Sequence, residues 1–351
     1  DILAYAALNN PGLASRWRQW RAAVEEVPSA RALPDPKLSY SYYIRRVETR
    51  VGPQEQKIGI MQKFPWFGTL DLRGKRAGKA AEAARQRYEQ AKLALFFDVK
   101  DAYYAYYYLG KAVAVTKENI ELLTQLERVA RTRYEGGGKL SPVVRAQVEI
   151  GKLEDRLHSL QDMRAPTVAR LNAAMNRSPD APLPWPDTIP SGKAPPPETT
   201  LRERLAGNNP NLKRLQTLTD KAAIGVDLAE KQFYPDFSVG VTYIDTGAAV
   251  MPGVSESGKD PVMAMVGIEL PIWRGKYKAD KRAAVARRKA VSQQHTHKRR
   301  QLEAMLSRAM FRYQDAERKI DLYRDTLIPK ARQELNVSRQ AFETGEADFV
   351  W

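Results

Sequence analysis

The side chains that most often carry chemistry are few in this sequence and poorly spaced for it. Three histidines and no cysteine occur among 351 residues. Without cysteine there are no thiolate metal sites, no cysteine nucleophiles and no disulfides. His295 and His297 sit two apart, so on a helix they point to different faces. His295 lies one heptad before Leu302, the spacing of a packed seam residue rather than of a ligand. His158 stands alone. Scattered imidazoles of this kind build no transition-metal centre, so no metal is expected. No GxSxG turn, Walker loop or pair of carboxylates with usable geometry occurs either. The sequence therefore offers no catalytic residue and asks for no cofactor.

Two denser stretches bear on binding. DAYYAYYYLG (101–110) carries tyrosines at a density that suits a helix packed on several sides, for instance between protomers, more than a stripe for stacking substrates. KYKADKRAAVARRKA (276–290) and HKRR (297–300) have the charge to hold phosphates. No aromatic stacking platform or nucleic-acid module stands beside them, so nucleic acid is not an expected partner. Facing the lumen of a conduit, this charge would favour anionic solutes and would suit metal-cation export poorly. The formal net charge of +16 is spread along helical stretches, mostly as solvated faces.

The elements that would position these residues are long. From 72 to 135 there is no proline, and a sevenfold series runs through Ala81, Tyr88, Leu95, Ala102, Leu109, Leu123 and Ala130. A second series three residues later, Ala84, Ala91, Ala105, Ala112 and Leu126, makes a heptad seam that Asp98, Thr116 and Asn119 interrupt. At 1.5 Å per residue such a helix is about 96 Å long. Ahead of it lie a helix at 1–33, stopped by LPDP, and two strands, at 37–47 and 57–64. In the first strand Leu38, Tyr40, Tyr42 and Ile44 alternate with polar neighbours, and the polar loop 48–56 makes the pair a hairpin. After the rod, YEGGGKLSP (134–142) forces a reversal into a return helix at 141–176, and a proline-rich linker fills 177–200.

The order then recurs. NNPNL (208–212) echoes NNPGL (9–13), and a helix is expected over 201–233. YPDF (234–237) leads into strands at 236–245 and 262–270, LPIWRGK (270–276) echoes FPWFGT (64–69), and a second long helix spans 275–343. Its seam reads Leu302, Leu306, Ala309, Tyr313, Ala316, Ile320, Tyr323 and Leu327. The chain thus divides into a first repeat, 1–200, and a shorter second one, 201–351. Two short helices placed end to end match one long helix, so the same logic predicts a further helix after Trp351 that meets 1–33. The start at DILAYAAL, without initiator methionine or signal peptide, reads as a mature or trimmed chain, so a missing signal does not argue for the cytoplasm. No apolar run reaches about 18 residues, so no membrane-spanning helix is expected, whereas membrane strands need only about 9–11 alternating residues. Four such strands cannot close alone, since barrels need roughly eight or more; three chains would supply twelve.

The junctions FPWFG and LPIWRG, the reversal RYEGGGKLSPVVRAQ (133–147) and LIPKARQELNVSRQAFETGEADF (327–349), taken in this order over nearly the whole chain, resemble the TolC-like outer-membrane efflux family. The resemblance implies a mainly α fold with membrane β. A long α-helical hairpin barrel would join a twelve-stranded β-barrel built by three chains, with four strands and two repeats in each. It implies a homotrimer in outer-membrane lipid that reaches into the periplasm, a passive exit duct working with a periplasmic adaptor and an inner-membrane transporter, with no chemistry of its own. By position, Gly136, Gly137, Gly138, Lys139, Leu140 and Ser141 would form one adaptor-docking tip, and Thr344, Gly345, Glu346, Ala347 and Asp348 the other. Pro65, Trp66, Gly68, Pro271, Trp273 and Gly275 would form the barrel-to-helix junctions. The family's gate aspartates would fall at or beyond Trp351. The first tip reads PVV (142–144) where an acidic pattern is usual, and the lipid-anchor cysteine is absent. The competing reading is a soluble basic coiled-coil scaffold that binds nucleic acid or acidic partners. Such a scaffold has no use for four alternating strands.

Overall fold

The computed structural model describes residues 2–189, 192 and 194–344. The elements are α1 (Ile2–Asn9), α2 (Pro11–Arg31), β1 (Lys37–Val47), β2 (Gln54–Phe64), α3 (Thr69–Glu135), α4 (Ser141–Asp162), α5 (Arg164–Ala174), α6 (Glu198–Asn208) and α7 (Pro210–Lys231). They continue with β3 (Asp236–Thr246), β4 (Val262–Glu269), α8 (Arg274–Leu322), a π turn (Tyr323–Leu327) and α9 (Ile328–Thr344). The fold is mainly helical with one small antiparallel sheet.

Four helices expected as continuous are interrupted, each for a local reason. At 1–33 the break falls at Asn10, whose Oδ1 accepts the Leu13 N–H at 3.0 Å and so caps α2, with Pro11 in its first turn. At 201–233 the break falls at Asn209, whose Oδ1 accepts from the N–H groups of Asn211 and Leu212. Within 141–176 the chain breaks at Met163, because Pro166 has no N–H and its ring crowds the Asp162 carbonyl one turn back. Within 275–343 a π turn precedes Pro329, and the Ile328 N–H reaches back to the Tyr323 carbonyl. The second strand begins at Gln54, three residues earlier than expected.

The rod seam differs in part of its second line, where Leu126 is buried and Ala84, Ala91 and Ala112 are half-buried but Ala105 is exposed. Ala81, Leu95, Ala102, Leu109, Thr116 and Ala130 are buried, and Tyr88 and Leu123 half-buried, as the first series predicts. The next buried residues are Val99 and Tyr106, four residues after Leu95 and Ala102 rather than three, while Asp98, Ala105 and Asn119 are exposed. Asp98 and Asn119 therefore do not interrupt the seam, because they lie off it. Thr116 does lie on it, and its hydroxyl donates to the Ala112 carbonyl at 2.8 Å. The later seam on α8 is half-buried at Leu302 and Leu306 and exposed from Ala309 to Leu327, since no described element of this chain lies against that face.

The chain forms two compact units: residues 1–15, 89–207 and 300–351, and residues 16–88 and 208–299. In the first, the proline-rich segment crosses the tyrosine cluster. Tyr106, 1% exposed, stacks on Trp185 at 4.7 Å between centroids and donates its hydroxyl hydrogen to the Leu183 carbonyl. Arg164 covers the other contact of Trp185 at 4.7 Å, and Arg170 pairs with Asp101 at 2.7 Å. Gly110 lies so close to Trp185 that a Cβ there would meet the indole at 2.8 Å. Tyr106 and Tyr103 thus pack against this chain's own linker, whereas Tyr104 and Tyr108 are exposed.

The second unit holds the sheet, in the order β1-β2-β3-β4 with every pair antiparallel. Register brings the apolar residues onto one face. Leu38, Ile60, Val241 and Ala264 form one cross-strand row, and Tyr40, Ile58, Tyr243 and Val262 the next. This face is open: Ile44 is 93% exposed and Val266 75%. The opposite face carries mostly small and polar residues, Ser39, Gly59 and Thr242 in one row, together with Met61, Ile244, Met263 and Met265, and Thr242, Ile244 and Thr246 are buried.

Candidate functional site

Two surfaces hold the residues singled out by the sequence. One lies in the first unit, where α3 turns into α4. The turn is set by glycine. Gly137 has φ of +94°, a conformation that disfavours other residues, and the Gly138 N–H bonds the Arg133 carbonyl at 2.9 Å. A Cβ on Gly138 would sit 2.9 Å from that same oxygen. Gly136 to Ser141 are all exposed, and Pro142 occupies the first turn of α4. Leu140, Val144 and Val148 add an exposed apolar edge beside the turn.

Beneath the turn lies a packed base. Leu126 and Ala130 of α3, Val143 of α4 and Phe342 of α9 form one buried cluster, with Leu335 against it. The Arg133 guanidinium lies 4.7 Å over the Phe342 ring. The end of α9 is therefore held at the first tip. Thr344, the last described residue, donates its hydroxyl hydrogen to the Gln340 carbonyl at 3.1 Å. Gly345, Glu346, Ala347 and Asp348 lie outside the described residues. Sequence reasoning passed over Phe342, Arg133 and Glu127. The buried spacing of Leu126, Ala130 and Val143 around the reversal was the available signal. Glu127 accepts from Arg131 at 2.5 Å and from Gln147 at 3.0 Å. The Arg131 bond, helped by Gln147, holds its carboxyl below the usual carboxylate range against the opposing effect of burial.

The other surface lies in the second unit, where strands pass into helices. At the first junction Trp66 stacks on Tyr234 at 5.0 Å and on Phe237 at 5.7 Å. Its N–H donates to Asp236 Oδ1 at 2.9 Å. Gly68 has φ of +80° and its carbonyl accepts from Leu72 as α3 begins. Lys63 bridges Asp236 at 3.2 Å and also pairs with Glu269, which ties β2, β3 and β4 at their helix ends. At the second junction Pro271 is buried, Gly275 has no atom within contact distance of a notional Cβ, and Trp273 is 72% exposed. The structure thus gathers Pro65, Trp66 and Gly68 around an aromatic stack but leaves Trp273 outside any such stack.

Among the described residues no group of three or more His, Cys, Asp or Glu could hold a metal ion. No described helix is long and apolar enough to cross a membrane, which leaves the strands untouched by that test.

Comparison with known proteins agrees with this geometry. The family model described as outer membrane efflux protein matches residues 2–177 and 201–350. A toxin and drug export protein A of Aggregatibacter actinomycetemcomitans is 26% identical over 52% of this chain and 40% of its own length, so the chain spans less than half of that relative. The cobalt-zinc-cadmium resistance protein CzcC of Cupriavidus metallidurans is 23% identical over 99% of this chain and 80% of its own. The crystal structure of the outer membrane protein VceC of Vibrio cholerae superposes with a TM-score of 0.81 at 18% identity, covering 99% of this chain and 86% of that one. That likeness establishes the fold.

Proposed function

We propose, from the premise that this chain belongs to the outer membrane efflux protein family, that it is the outer-membrane exit duct of a tripartite efflux system. The duct is a passive conduit, open to outer-membrane lipid at one end and reaching into the periplasm at the other. The observation that carries this reading is the exposed, largely apolar face across all four strands, with mostly polar and small residues on the reverse. Three strands have 11 residues and the fourth 8, close to the roughly 9–11 that a tilted strand needs to cross a bilayer. The outer edges of β1 and β4 have no partner strand among the described residues. In hydrocarbon such edges must close, because unpaired backbone groups there cost several kcal/mol each. Three copies supply twelve strands, and a homotrimer satisfies every edge.

The two tips, 136–141 and 344–348, are the docking surface for a periplasmic adaptor, which couples the duct to an inner-membrane transporter. Support comes from the exposed glycine turn and from Phe342, which packs the end of α9 beneath it. The two structural repeats, 1–200 and 201–351, belong to the same reading. They are supported by the matching asparagine caps at Asn10 and Asn209 and by the paired junction motifs.

The test is the oligomeric mass of protein extracted from outer membranes in detergent, with a parallel sample carried through without detergent. A trimer that aggregates once detergent is removed is the expected result. A monomer or dimer that stays in solution without detergent would overturn the barrel and return the soluble basic scaffold to first place.

A further inference from the structure

A cavity of about 230 Å³ opens among α2, the start of α3 and α7, all within the second unit. Arg16, Arg87 and Arg214 line it, with Gln19 beside them and Ala83 and Leu218 in its apolar wall. Among the described residues their hydrogen bonds go to neutral acceptors. Arg16 donates to Gln19 at 3.0 Å and Arg214 to Asn211 at 3.2 Å. None of the three arginines forms an ion pair among the described residues. Two carboxylates of the same helices are engaged elsewhere: Lys79 holds Glu82 at 3.1 Å and Asp220 at 3.3 Å. Burial, and after it the charge of Arg87, push the Arg214 guanidinium down from its ordinary value. Three like charges therefore converge on a half-buried space with no counter-charge of their own.

From this convergence we infer that the cavity is a binding site for a phosphate group, either as the free ion or as a small ester. A guanidinium presents a planar fork of N–H donors that matches the oxygens of phosphate in bidentate fashion. Three forks offer more donors than the two oxygens of a carboxylate can use, whereas a tetrahedral dianion presents an edge to each. The wider groove lined by Arg76, Lys221 and Arg287 is a weaker match, because Asp280 lines it too and supplies a carboxylate. The site does not depend on the export reading, and it lies on residues to which no role has been given above.

The test is calorimetric titration of the full chain in detergent with sodium phosphate, against sodium chloride at matched ionic strength. Thermal melting of the same samples runs in parallel. Arg87→Gln removes one fork, and Arg85→Gln, an arginine of the same helix that is exposed like Arg87 but does not line the cavity, is the control. Wild type and Arg85→Gln should bind phosphate, and Arg87→Gln should lose at least about tenfold in affinity, roughly 1.4 kcal/mol. In phosphate-free buffer Arg87→Gln should melt no lower than wild type, since it relieves repulsion of Arg214. A merely structural arginine would lower that melting point. Titration with glycerol 3-phosphate separates the two sources: tighter binding than inorganic phosphate assigns an ester, weaker binding the free ion. A wild type indifferent to both compounds overturns the site, whether another copy's carboxylate fills the cavity or nothing does. Equal phosphate affinity in wild type and Arg87→Gln overturns it as well.

Discussion

The two strand-to-helix junctions are written in nearly the same letters, FPWFG at 64–68 and LPIWRG at 270–275, and end in different surroundings. Trp66 lies in a stack with Tyr234 and Phe237, and its backbone is held by Asp236. Trp273 is 72% exposed, with Leu270 and Ile272 exposed beside it. The difference teaches that a short motif specifies a turn but not its neighbours. The first junction uses its aromatic ring inside the unit. The second leaves its ring exposed, and under the proposed function an amphipathic indole at the end of the strands would suit the headgroup level of a bilayer.

Substitutions sharpen or break this contrast, and melting in detergent reads them. The largest effect is expected for Trp66→Ala, which removes a ring contacting three others, Phe67, Tyr234 and Phe237, and should cost about 2–3 kcal/mol. Asp236→Ala comes next. It leaves the Trp66 N–H without its acceptor and Lys63 without one of its two carboxylates, for about 1–2 kcal/mol. Gly68→Ala should cost about 1 kcal/mol, because a Cβ at φ of +80° is strained although it would meet only the Lys231 side chain, at an ordinary contact distance of 3.7 Å. The smallest effect is expected for Trp273→Ala, within about 0.5 kcal/mol of wild type. If the proposed trimer forms, its mark should appear instead in the yield of trimer recovered from membranes. If Trp273→Ala melts as low as Trp66→Ala, the contrast fails.

Much of the fold was legible because it rests on periodicity. The alternation Leu38, Tyr40, Tyr42, Ile44 named the open face of β1, and the sevenfold series from Ala81 to Ala130 named one line of the rod seam. The second seam line was legible only in part. Alanine at 84, 91 and 105 fits a buried or a solvated position equally well, and only packing selected Val99 and Tyr106. The use of the tyrosine cluster was hidden for another reason. Its partner Trp185 lies far along the chain in a proline-rich stretch with no period to read. Of the candidate sites, the glycine turn announced itself by composition, whereas the Phe342 base beneath it depends on three helices meeting. The arginine cavity joins residues from three separate segments, so no local pattern could reveal it.

The π turn at Tyr323–Leu327 has a consequence for everything that follows it. Pro329 would crowd the Asp325 carbonyl in a regular helix, and the widened turn, closed by the Ile328 N–H on the Tyr323 carbonyl, removes that clash. A widened turn holds one residue more than an ordinary one, so α9 runs out of phase with α8 by about 100°. Phe342 reaches its place under the glycine turn in that shifted phase. The turn therefore works as a frameshift written in angle: removing one residue from it would leave every downstream letter intact and swing the whole word to face another direction.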